Sequence, residues 1–201
     1  MNFSTDELAQ AIEKANEIAD HYRLNHLDSD NCERYVDHLR ASCQQYLSKV
    51  IHLEKLDVAE DSAVRAMCLL MADDSATVCY SEHLDNPWTR FAVCKEIFHL
   101  VLDAEEFRNM DLDAHIQEVT SAFLYDDSTP SPPVRAEVLA EVAAMEFLFP
   151  FSARTKELAG SDANNKIAIA ERYGLPAVLV DRYMSKQYMD VLGGISRLGP
   201  K

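Results

Sequence analysis

No glycine precedes position 160 in this chain of 201 residues; all five lie at or beyond it. A loop that cradles phosphate needs glycine where the backbone closes on its ligand. The first three quarters of the chain therefore hold no such loop, and no Gly-x-Ser-x-Gly elbow is present. No apolar run approaches the roughly 20 residues that a membrane helix needs. Residues 1–7 have neither a basic n-region nor an apolar h-region, so no signal peptide is expected and the expected location is the cytoplasm. Basic residues are scarce, 19 Lys and Arg against 34 Asp and Glu, for a formal charge of −15. With no concentrated basic face, such a chain repels a nucleic-acid backbone, and a protein partner fits the charge better. The five cysteines, Cys32, Cys43, Cys68, Cys79 and Cys94, are odd in number and contain no C-x-x-C pair. Each stands in an apolar setting, which predicts buried reduced thiols rather than a cysteine-based zinc site.

What is present is an ordinary globular composition, 48% hydrophobic and 26% charged, enough for one full-sized domain or two small ones. Ser4-x-x-Glu7 reads as a capping box. Behind it Leu8, Ala11, Ile12, Ala15, Ile18, Ala19 and Tyr22 form a helical stripe over 5–24. A second helix is expected with Cys32, Tyr35, Val36, Leu39, Cys43, Tyr46, Leu47 and Val50 inward. The β-formers of 64–71 and 76–81, parted by Ala72-Asp73-Asp74-Ser75, predict a hairpin. Residues 111–125 have partial helical period, and 126–133 is a Pro-rich loop. Residues 134–149 predict a strong helix closed by Pro150. A further helix is expected from Ser161 or Asp162 to Tyr173, ended by Gly174, and another from Pro176 to about Tyr188. The last two could be mistaken for a helix-turn-helix, but no basic face supports DNA reading. The organisation is an N-terminal helical segment (1–60), a main domain (61–190) and a frayed tail (191–201).

One stretch carries chemistry. Asn86 is a cap candidate and Pro87 suits the first turn of a helix. Phe91, Cys94, Ile97, Phe98, Val101 and Leu102 recur on one side of it as an apolar face. Lys95 and His99, four apart, share another face, with Glu96 beside them. This is the spacing of the zincin helix H-E-x-x-H, where two histidines hold zinc and the glutamate is general base. Here the first histidine is a lysine, so the motif is K-E-x-x-H.

Arg90-Phe91-Ala92-Val93-Cys94-Lys95-Glu96-Ile97-Phe98-His99-Leu100-Val101-Leu102 resembles the active helix of the ImmA/IrrE metallopeptidase family, typically R-F-T-x-A-H-E-L-G-H-L-L-L. The run from Glu137 to Pro150 is similar to that family's E-x-x-A-N-x-F-A-x-x-L-L-M-P. Ile169-Ala170-Glu171-Arg172-Tyr173-Gly174-Leu175-Pro176 resembles its I-A-x-x-F-G-V-S segment. The likeness spans roughly residues 60–185. It implies a mostly helical α+β, zincin-like domain, with a small β-hairpin or sheet against the active helix. It implies Glu96 as catalytic base, His99 as second zinc ligand and Glu137 as third. It also implies a protein partner, a helix-turn-helix transcriptional regulator of mobile elements or stress responses. The sequence leaves open whether the chain acts alone or as an oligomer.

Three departures bear on activity. Lys95 replaces the first ligand, Phe98 replaces a small residue and would crowd the catalytic water, and Glu141 replaces an asparagine. An ammonium has no lone pair, so two matched ligands remain where catalytic zinc takes three. The reading is a pseudo-peptidase that has lost zinc and keeps its fold, with no cofactor expected. Lys95 would then supply the positive charge among Glu96, Glu137 and Glu141. The alternatives are an active zinc enzyme in which Glu141 or Asp103 completes the site, and an antitoxin-like or structural interaction module. In the plainest alternative Lys95 reaches solvent and His99 is a satisfied core histidine. His83 and His115 are loop residues near the motif helices. His21, His26 and His38 read as surface or rim residues.

Overall fold

The computed structural model describes residues 5–25, 34–59, 65–102, 132–160 and 163–198. It is α+β and mostly helical. The described elements are α1 (Thr5–Asn25), α2 (Val36–Leu47), β1 (Ile51–Leu56), β2 (Ala66–Leu70), β3 (Ala76–Ser81) and α3 (Asn86–Val101). They continue with α4 (Pro132–Leu148), α5 (Phe151–Ala159), α6 (Lys166–Tyr173), α7 (Ala177–Tyr183) and α8 (Lys186–Leu198). None of the described helices is long and apolar enough to cross a membrane.

The core sits where α4 packs against α1 and α3. α1 buries Ala11, Ala15, Ile18, Ala19 and Tyr22 at helical spacing. α4 answers with Ala140, Ala143, Ala144, Met145, Phe147 and Leu148, all buried. Tyr22 meets Phe147 edge-on at 5.5 Å, and Phe98 of α3 meets the same ring at 5.9 Å. Each fully buried large apolar side chain contributes about 2 kcal/mol by removal from water. α2 buries Leu39 and Cys43, but Tyr35, Tyr46 and Val50 are exposed. The second helix is therefore shorter than its apolar residues imply, because Ser48 adopts a left-handed conformation (φ 52°) and ends it.

The hairpin forms as the sequence predicts. β2 and β3 are antiparallel, with Ala66 opposite Tyr80 and Leu70 opposite Ala76. Its turn places Asp74 at φ 65°, a conformation Asp tolerates. The Asp73 carboxylate accepts hydrogen bonds from the Ser75 hydroxyl and N–H, which hold its pKa below the usual value. The sequence reading missed β1, which lies inside the segment taken as helical. It pairs parallel to β3, Ile51 opposite Ala76, and gives the order β1-β3-β2. β3 is thus the central strand, and Ala76, Thr77, Val78 and Cys79 are all buried.

The C-terminal third differs from the expected pattern in three places. Pro150 ends α4 but also serves as N-cap residue of α5, a helix absent from the sequence reading. The helix expected from 161 starts at Lys166, where the Asn165 side chain accepts from the Ala168 N–H. Residues 177–188 are not one helix. The chain breaks after Tyr183 and α8 runs through the expected frayed glycines, anchored by buried Leu192 and Ile195. Gly174 does end α6, at φ 58°. The capping box at Ser4, the 111–125 helix, the Pro-rich loop up to residue 131, and residues Cys32, Asp103 and His115 lie outside the described residues.

Candidate functional site

The site begins with the phase of α3. Asp85, one residue before the expected cap, is the N-cap, and its carboxylate accepts from the Trp88 N–H at 2.9 Å. Asn86 and Pro87 are then the first two helical residues. Arg90 fixes the helix against the C-terminal third by donating to the carbonyls of Tyr173 and Gly174 at 2.9 and 2.7 Å. Those carbonyls close α6, whose end carries partial negative charge. Arg90 also donates to the Arg34 carbonyl. With this phase Phe91, Cys94, Ile97, Phe98 and Val101 enter the core, as expected. Ala92, Val93, Glu96 and Leu100 are buried as well. The helix is thus enclosed round most of its circumference, and Lys95 and His99 mark its polar opening toward α4.

Four side chains meet there. Lys95 Nζ lies 2.5 Å from Glu137 Oε2 and 3.2 Å from Glu96 Oε1. His99 Nε2 lies 3.2 Å from the other Glu137 oxygen. That nitrogen is buried and makes no hydrogen bond among the described residues, so its contact with Glu137 is a close approach rather than an aligned bond. The Lys95 side chain is 20% exposed, Glu137 24% and Glu96 6%. Burial pulls the lysine pKa down, but the charges of Glu96 and Glu137 and their hydrogen bonds outweigh it. The net shift is upward, and the ammonium stays protonated.

The remaining candidates fall elsewhere. Glu141 does not join Lys95. Its Oε1 accepts from Arg182 and from the Tyr183 hydroxyl, each at 3.0 Å. Burial, with the Glu141 charge beside it, pushes the Tyr183 pKa well up. Phe98, expected to crowd a catalytic water, instead points into the core against Phe147. His83 is exposed and sits 3.8 Å from Asp57. Cys43, Cys79 and Cys94 are buried free thiols as expected, whereas Cys68 is only half-buried. Burial raises the thiol pKa of Cys43, to about 12, and of Cys94 well above its ordinary value.

The sequence reading missed a second charged centre on α4. Glu146 accepts from Arg154, which is fully buried, and from the Phe151 N–H at 2.8 Å. The Glu146 carboxylate thereby occupies the N-terminus of α5, where helix N–H groups favour an anion. Glu137, Glu141 and Glu146 thus each take a cation from a different element: α3, α7 and α5. The 137–141 spacing was visible as one helix turn; the cations they meet are 41 or more residues distant from the first two, and no local pattern announces them.

Among the described residues, Glu96, His99 and Glu137 do not bring three ligand atoms within 4.8 Å of one another. The group that does is Asp57, Glu82 and His83, all exposed, after β1 and β3. No protein-family model matches the chain, and no curated protein matches it.

Proposed function

We propose that this chain is a pseudo-peptidase of the ImmA/IrrE type, a cytoplasmic, zincin-like regulatory domain that binds a protein partner without cutting it. The observation that carries the reading is the position of Lys95. Its ammonium lies between Glu96 and Glu137 and one turn from His99, where the motif's first zinc ligand would stand. The donor set does not fit catalytic zinc, which takes three protein ligands and keeps a position open. His99 and Glu137 supply two. The raised lysine pKa opposes the deprotonation that would free a lone pair. A rearranged active site is less well supported, because Glu141 would have to leave both Arg182 and Tyr183.

The partner class follows from charge and resemblance together: a helix-turn-helix regulator whose basic surface meets a chain of net charge −15. The test mixes purified protein with such a regulator and follows complex formation by gel filtration and cleavage by mass spectrometry. We expect a complex, no cleavage, and no effect of a chelator or of Glu96→Gln on complex formation. Cleavage that stops with chelator and with Glu96→Gln would replace this reading with an active enzyme.

A further inference from the structure

We draw no further inference here: the strongest candidate, the exposed Asp57, Glu82 and His83 cluster at the carboxyl ends of β1 and β3, is a surface group of two carboxylates and an imidazole, and nothing else among the described residues points to a ligand that it would hold.

Discussion

Of the cations that glutamates of α4 clamp, Arg154 and Lys95 are held differently. Arg154 is wholly buried, and its partner Glu146 spends both oxygens, one on Arg154 and one on the Phe151 N–H. Rings of Phe151 and Tyr183 flank the guanidinium at 6.0 and 5.7 Å. This pair joins α4 to α5 with one carboxylate for one cation. Lys95 is at the rim, 3.2 Å from Glu96 and 2.5 Å from Glu137, and beside it the buried His99 Nε2 makes no hydrogen bond among the described residues. Arg154 also keeps Nε and Nη1 buried without a hydrogen bond among the described residues, so what separates the two centres is burial: the Arg154 pair is sealed in the core, whereas the Lys95 cluster stays partly open to solvent.

The comparison can be broken by stability measurements. Arg154→Met strands Glu146 in the core, and removing one partner of a buried pair costs about 3–5 kcal/mol. Urea unfolding should show a loss of this size. Lys95→Met should cost less, about 2 kcal/mol, since its cluster is partly exposed and falls between buried pairs and surface pairs. Equal losses for the two variants would make Lys95 a structural tie like Arg154. The Lys95 contribution also has a pH signature. Its folded pKa is raised, so the contribution is complete below the ordinary lysine value of roughly 10.4 and is lost as pH rises through the folded value. The stability gap between wild type and Lys95→Met should therefore hold level between about pH 7 and 9.5. A gap that shrinks in this window would show that Lys95 is not held charged by its neighbours. Asp85→Ala, which removes the cap that sets the phase of α3, should cost the least, about 1 kcal/mol. Thermal unfolding of that variant should show a modest fall with the Lys95 contacts intact.

How much of this was legible in the sequence depended on range. Helix phase alone put Lys95, Glu96 and His99 together, because residues one turn apart share a face. The hairpin was legible from β-formers flanking a turn. Glu137 reached the site only through the family likeness, since nothing local says which residue across 42 positions will pair with Lys95. β1 was missed although Ile51 and Leu53 alternate with His52 and Glu54, the period of a half-buried strand. The apolar residues before it, read as one long helix, masked that alternation. α5 is hidden in the sequence because Pro150 reads as a stop, whereas a proline also suits the start of a helix. The fate of Glu141 could not be read at all: Arg182 and Tyr183 compete for it from a helix 41 residues away.

The most direct test of Lys95 as the replacement for a lost metal is a zinc titration by calorimetry on wild type and on Lys95→His. The variant places two imidazoles one turn apart opposite Glu137, on a helix whose phase is already fixed by Asp85 and Arg90. We expect wild type to bind no zinc stoichiometrically and Lys95→His to bind one ion per chain. Tight binding of one zinc by wild type, or none by either protein, would contradict the claim.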